Sequence, residues 1–535
     1  LGSQPNFGAD QYNTALSFSG QIAINILLIS SNSLTQNRQL IIHSGKEQGL
    51  QILAALQRLP FENRRPPTRP PHTGFRVLQK KFSFIHSPHK PRLSAHFCTL
   101  YNFHSTLRHM RRTSINRILT GLILAVVLTH SSAVGQAFQR TEPEQVGMSA
   151  ERLERMANLM DDYVESELIP GSVTLILKNG HLVYERAVGM RDREVGDPMA
   201  ATDLFRIASQ TKAVVSTAVL ILQEQGKLNI QEPVGKYLPE WLETTVAVES
   251  EDGYDVVPAN RPITIRDLLT HTAGVGWGQG HAAEEWEAAD MRYWYLADRP
   301  EGIRQFARTV ANLPMDAHPG ERFVYGLNQD ILGAVVEQAA GQPLDEFLQQ
   351  HLFNPLGMVD THFFVPAEKA DRLSVVYGST PDGLIRLTDK DDHYHGQGHY
   401  LDGPRATFGG GAGLVSTAQD YARFLQMWVD RGHLNGVRIL SPTTVSLALS
   451  DHSQGRFTQP GREVGLAFGI VTDLGAYGMA GSEGEFGWGG AYHASYFASP
   501  EHNMVVVYMT QTMIARPDVD DFAKLTALAY QAIVE

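Results

Sequence analysis

Apolar positions recur along the chain with two different periods. Behind Ser149, the residues Leu153, Met156, Met160 and Tyr163 follow at three- and four-residue intervals, which predicts an N-capped amphipathic helix ending before Pro170-Gly171. The runs VTLILK and HLVYERAV then flank Asn179-Gly180, and that dipeptide between apolar runs is a strong short-range hairpin signal. In FRIASQTKAVVSTAVLILQEQG, a short extended lead-in passes into a helix with one buried face (Val214, Val215, Ala218, Val219, Leu222) and a stop at Gly226. Thr264 with Asp267 three residues on predicts a capping box for a short helix through Leu269. Further helical periods cover 303–313, 330–340, 344–352 and 418–429. Strand patterns return late, in LAFGIVT, AYHASYFA and NMVVVYMT, before a last helix over 521–534. Both ends of this region are therefore helix plus strands, and its interior is helical. The economical packing is an α/β (α+β) arrangement: one antiparallel sheet built from both ends, covered by the terminal helices, with a mainly helical region inserted.

Charge and composition divide the 535 residues further. Residues 1–109 hold 12 Lys or Arg against 3 Asp or Glu, yet the whole chain carries −12, so the remainder is strongly acidic. An acidic body argues against nucleic-acid or anionic-membrane partners. The single cysteine, Cys98, lies in the basic part, which leaves the body with neither disulfides nor a thiolate metal site. Residues 1–109 also lack methionine and contain polar, proline-rich runs such as NRRPPTRPPH, the composition of a disordered segment. From Met110 the basic MRRTSINR, the apolar ILTGLILAVVLT and the small-residue stretch SSAVGQA have the order of an export signal over 110–137, too short to be a comfortable membrane span. The expectation is that 1–109 is upstream sequence, that 110–137 is a signal peptide, and that 138–535 is the functional domain, exported to a periplasmic or secreted location without a membrane anchor.

The chemistry starts from Ser209 and Lys212. Three residues apart on a helix, the two side chains share one face about a turn apart, within reach of each other. A serine hydroxyl becomes a nucleophile when a neighbouring base takes its proton, and burial or a positive helix N-terminus favours the amine form that a lysine needs for this. Taken alone, the stretch is equally compatible with an N-capping serine beside a solvated lysine. A second Ser-x-x-Lys, Ser87 to Lys90, carries Pro88 and no helical period. Tyr325, between the turn Pro319-Gly320 and a helix, can be held rigidly towards a cleft, and a phenol near an ammonium group is a usable proton carrier. The glycines of Gly487-Trp488-Gly489-Gly490-Ala491, at the start of the strand AYHASYFA, permit close backbone approach by a ligand.

In this order, PGSVTLILKNG, the Ser209 stretch, ITIRDLLTHTAG, the Tyr325 stretch, GGGAGLVST and WGGAYHASYF resemble the serine β-lactamase and penicillin-binding-protein superfamily, closest to the class C-like family VIII carboxylesterases. The resemblance spans nearly all of 140–535 and implies a β-lactamase-like fold and a serine hydrolase that cleaves short-chain carboxylic esters without a cofactor. It implies Ser209 as the acylated nucleophile, Lys212 and Tyr325 as the acid-base pair, and the backbone N–H groups of Ser209 and Ala491 as the oxyanion hole. Trp488, Gly489, Gly490 and Asn328 are the expected substrate-binding residues.

Two departures from the family pattern bear on the substrate. The second motif is often Tyr-x-Asn, whereas Leu327 stands in that third place and Asn328 comes one later. The third motif in β-lactamases and peptidases is Lys-Thr-Gly, whereas the lysine position holds Trp488. Both weaken a β-lactam or peptidoglycan reading and favour small-molecule esters. The alternatives are a β-lactamase or D,D-peptidase, an acyltransferase on the same site, and a catalytically inactive β-lactam receptor. No Gly-x-Ser-x-Gly elbow occurs, which closes the α/β-hydrolase route to an esterase. His393, His395 and His399 with Asp391 and Asp392 are read as a polar loop rather than a metal site, and Trp277, Trp286, Tyr293 and Trp294 as core or cleft wall.

Overall fold

A computed structural model describes residues 137–535 except 293, 389–395, 514–515 and 517–518. The upstream segment, almost all of the expected signal peptide, Ser87 to Lys90, Tyr293, His393, His395, Asp391 and Asp392 lie outside the described residues. No helix among the described residues is long and apolar enough to cross a membrane.

Helix α1, Ala150–Glu165, begins at Ser149, whose hydroxyl accepts a hydrogen bond from Arg152 N at 3.3 Å. Strands β1 (Gly171–Lys178) and β2 (His181–Asp192) come next as an antiparallel hairpin, with φ of 53° at Asn179 and 75° at Gly180. Two left-handed residues in succession are what a tight two-residue turn needs, and Asn-Gly supplies them with little steric cost. β3 is the short Asp197–Pro198. After the inserted region come β4 (Arg462–Val464), β5 (Gly469–Val471), β6 (Phe486–Gly489), β7 (Ser495–Ser499) and β8 (Met504–Thr510). The eight strands form one sheet in the order β4-β5-β6-β7-β8-β1-β2-β3, so the two ends of the domain meet at the β8–β1 pair.

Alternation along β1 and β8 explains why both strands are buried throughout. Ile176, Met504, Val506 and Tyr508 join Leu153, Met156 and Met160 of α1 and Leu525 and Ala529 of the last helix in one apolar layer. Val173, Leu175, Leu177, Val505, Val507 and Met509 belong to the larger core shared with the inserted region. That region contains helix α2 (Thr211–Glu224), α3 (Ile265–Leu269), α4 (Ile303–Ala311), α5 (Asn328–Ala340) and α6 (Ala418–Val429), and the chain ends in α7 (Asp521–Gln531).

Three expectations need correction. Helix α2 buries every residue from Thr211 to Leu222 rather than one face, because it runs through the centre of the inserted region and packs on α5. The glycines around Trp488 do not begin the strand AYHASYFA: Trp488 and Gly489 end their own strand β6, and 490–494 turns back into β7. An additional hairpin, Thr245–Ser250 with Gly253–Pro258, lies within the region expected to be helical.

Candidate active site

Ser209 lies in a 3-10 turn, Ala208–Gln210, that leads directly into α2. Its hydroxyl makes no capping bond, so the N-cap role is not the one it plays. The approach is pinned on several sides. Phe205 and Arg206 pair with Ser416 and Val415, Ile207 N donates to Leu414 O at 3.0 Å, and Tyr421 of α6 donates its hydroxyl to Gln210 O at 2.9 Å. Ala208 is held at φ 41°, a conformation a non-glycine residue adopts only when its surroundings impose it.

Lys212 is 7% exposed, with Nζ 3.2 Å from Ser209 Oγ, and it donates to Gly411 O at 2.7 Å. Gly411 N in turn donates to Asp330 Oδ1 at 2.9 Å. A Cβ on Gly411 would stand 2.5 Å from Asp330 Oδ2, so only glycine lets the loop lie this close to the carboxylate. Burial pushes the Asp330 carboxyl up to about 6, against the opposing pull of the Lys212 charge and the backbone donors. The route Asp330 to Gly411 to Lys212 fixes where the amine can stand, and motif reasoning did not find it. Its signal was the consecutive polar residues Asn328, Gln329 and Asp330 opening a helix that is apolar from Ile331 to Val336; all three are buried.

Tyr325 precedes α5 and is tied to the loop after α3, since Val324 N donates to His271 O at 2.7 Å and Leu327 N to Gly276 O at 3.3 Å. Lys212 Nζ lies over its ring, 4.7 Å from the centroid, and Trp488 Nε1 donates to its hydroxyl at 3.2 Å. Trp277 meets the ring edge-on at 5.3 Å. The structure thus brings Ser209, Lys212, Tyr325 and Trp488 together from three parts of the chain. Trp286 is instead core, its indole N–H bound to Pro314 O at 2.8 Å, and Trp294 packs edge-on against Tyr492.

The β6–β7 turn closes the site. A Cβ on Gly490 would lie 2.5 Å from Ile207 O, so the glycine is what allows the turn to press against the chain just before Ser209. Ala491 is exposed, and its N–H has no hydrogen-bond acceptor among the described residues. A cavity of about 20 Å³ beside Ser209 and Lys212, lined also by Leu269, His271, Gln329 and Tyr496, has room for one small group.

Asn328 does not face this space. It is fully buried, and Nδ2 lies within hydrogen-bond distance of Val275 O, Val324 O and His271 Nδ1, so it braces the Tyr325 loop, while the neighbouring Gln329 reaches the cavity. His271 Nδ1 lies 3.0 Å from Asn328 Nδ2. Burial first, and the Lys212 charge second, hold His271 well below its usual 6.5. Unfolded chains therefore take up a proton below about pH 6.5 that the native state refuses. This contribution to stability is complete above 6.5 and declines as pH falls, by up to about 1.4 kcal/mol per pH unit. Asp330, with its carboxyl raised, works in the opposite direction between about 4 and 6. The test is consequently a comparison with His271→Asn by urea unfolding at pH 7.5 and 5.5. Wild type should lose about 1 kcal/mol more than the variant on acidification; equal losses would remove His271 from this account.

Among the described residues no group of three or more His, Cys, Asp or Glu is arranged to hold a metal ion, and His399 pairs with Asp402 at 3.1 Å. A family model described as Beta-lactamase matches residues 156–531. The chain belongs to the beta-lactamase family. It is 32% identical over 364 residues to Protein Rv1367c of Mycobacterium tuberculosis, covering 65% of this chain and 87% of that one. It is 31% identical over 375 residues to Esterase EstB of Burkholderia gladioli, covering 67% of this chain and 90% of that protein. Among solved structures, EstCE1, described as a hydrolase with promiscuous acyltransferase activity, matches at 28% identity and a TM-score of 0.61, over 71% of this chain and 98% of EstCE1. The beta-lactamase-like fold and a place among relatives that include esterases are thereby shared by this chain.

Proposed function

We propose that the protein is a serine carboxylesterase acting on small neutral esters through an acyl-enzyme. The observation that carries this reading is Lys212, buried, 3.2 Å from Ser209 Oγ and fixed by a second bond to Gly411 O. Ser209 Oγ attacks the ester carbonyl carbon as the Lys212 amine takes its proton. The oxyanion is received by the N–H groups of Ser209 and Ala491, each such donor being worth about 2.7 to 4 kcal/mol in the transition state. The alcohol leaves with a proton returned through Lys212 and Tyr325, whose hydroxyl is oriented by Trp488, and water then cleaves the acyl-enzyme with the same groups in reverse. Trp488, Gly489 and Gly490 line the substrate side; Asn328, bonded to Val275 O and Val324 O, supports the Tyr325 loop from behind. The relation to EstB and EstCE1 supports ester cleavage, and the described activity of EstCE1 makes transfer of the acyl group to an alcohol the second reading. A fluorophosphonate that labels wild type and spares Ser209→Ala, with turnover of p-nitrophenyl esters, tests the proposal. Labelling of Ser209→Ala would sink it.

The same reading assigns 110–137 to an export signal and confines activity to residues 138–535. The first described contacts support this, for Gln139 O accepts from Leu182 N at 3.0 Å and Arg423 lies over the Phe138 ring. A chain shortened to begin at Phe138 should keep the full esterase kcat/KM and unfolding midpoint. Loss of either on that truncation would give the upstream residues a structural role.

A further inference from the structure

The turn that presents Ala491 belongs to no helix or strand, yet an oxyanion donor works only if it is held to a few tenths of an ångström. Its internal bonds are few: Gly490 N donates to Ala494 O at 2.7 Å, and His493 N to Gly490 O at 2.9 Å. His493 itself sits at φ 66°, a left-handed conformation that a non-glycine residue keeps only under outside constraint. The constraint is visible. His493 Nε2 lies 2.7 Å from Oδ1 of Asp521, the first residue of α7, and that carboxylate is completely buried.

Asp521 is in turn fixed by the sheet and by its own helix. The hydroxyl of Tyr508 donates to Oδ2, and Phe522 N donates to Oδ1 at 2.8 Å. Tyr508 stands in β8 opposite Ser495 of β7 and Thr174 of β1, so the anchor rests at the middle of the sheet. Burial opposes the charge on Asp521, but the bonds from His493 and Tyr508 more than offset it and keep the carboxyl below the usual range.

We propose that His493 and Asp521 form a positioning pair which ties the oxyanion-binding turn to the start of the last helix, so that the Ala491 N–H is in place before substrate arrives. The inference rests on the esterase reading, in which Ala491 supplies that donor. When the pair is broken the donor is displaced rather than removed, so the effect should fall short of deleting it.

The experiment uses the full chain with His493→Asn, which suits a left-handed turn and sits at a position only partly buried, and with Asp521→Asn, which keeps the shape of the carboxylate. Each should lower kcat for p-nitrophenyl acetate by about ten- to a hundredfold with KM nearly unchanged. Affinity for a trifluoromethyl ketone, which forms a tetrahedral adduct with the serine, should fall by a similar factor. His493→Gln, whose amide can still donate to Asp521, should recover most of the loss. Thermal unfolding of each variant above the assay temperature excludes a folding defect as the cause. Folded variants with wild-type kcat and ketone affinity overturn the pairing, as does a matching rise in KM alone. Ser209→Ala, measured alongside, separates the two levels: if it is inactive while the His493 and Asp521 variants are unimpaired, the site reading stands and the clamp does not. Activity retained in Ser209→Ala removes the basis of both.

Discussion

Ser209→Ala and Lys212→Ala should each lower kcat for a p-nitrophenyl ester by about three orders of magnitude or more, and the double variant should be little worse than either. The expectation comes from geometry: one proton lies between two atoms 3.2 Å apart, and without either partner the other has no function in the acylation step. The loss should appear in kcat, since neither side chain supplies much of the surface that binds an ester in its ground state. Asp330→Asn, which can keep the bond from Gly411 N but not the charge facing Lys212, should fall between wild type and these variants. Pre-steady-state release of p-nitrophenol resolves the acylation step directly. If the double variant lost the product of the two single effects, Ser209 and Lys212 would be acting independently and a shared proton would be the wrong description.

The second large effect concerns substrate choice and rests on Trp488. Relatives with Lys-Thr-Gly offer an ammonium group to the carboxylate that β-lactams and peptide stems carry near the scissile bond; an indole offers one N–H and no charge. In this structure even that N–H is committed, because it donates to the Tyr325 hydroxyl. A hydrogen bond to a charged group is worth about 1.5 to 3 kcal/mol, or roughly a 10- to 150-fold change in kcat/KM. Neutral esters such as p-nitrophenyl acetate or butyrate should accordingly be turned over with far higher kcat/KM than a cephalosporin bearing a free carboxylate. Trp488→Lys should narrow that gap. Trp488→Phe keeps most of the apolar surface but leaves Tyr325 without its donor, so it should lower ester activity without helping the cephalosporin. Equal kcat/KM for ester and cephalosporin in the wild type would move the β-lactamase reading ahead.

Much of this arrangement could be read from local rules. The Ser149 cap, the Asn179-Gly180 turn and the Thr264 capping box are decided within a few residues, and the structure has all three, including both hydrogen bonds of the box. The closure of both ends of the domain into one sheet could be reached by counting elements. Less legible were features set by distant neighbours. Asn328 was placed at the substrate by motif alignment, but orientation along α5 depends on what its amide meets, and His271 and Val275 lie more than fifty positions away. Asp330 is invisible as a functional residue until the 409–411 loop folds against it. The hairpin at 245–258 did carry a signal in the alternation around Asp252-Gly253, which the reading of the interior as mainly helical passed over. Trp488 was expected beside the start of AYHASYFA, but it ends a separate four-residue strand, Phe486–Gly489, that pairs with Ser495–Ser499.

The β8–β1 pair has a consequence for how such a chain reaches its native state. Thr510 donates its hydroxyl to Gly171 O across 339 positions of sequence, at the seam where the first and last strands of the eight-stranded sheet adjoin. Contacts this remote give the polypeptide a high contact order, and the entropy of closing so long a loop must be overcome before either strand gains a partner on that edge. During synthesis, Gly171 to Lys178 would wait for nearly the whole domain to be translated before the pairing surface existed. Until then α2 and its serine would have no finished sheet to lie against. A polypeptide of this topology cannot complete its sheet until the strand Met504–Thr510 is made.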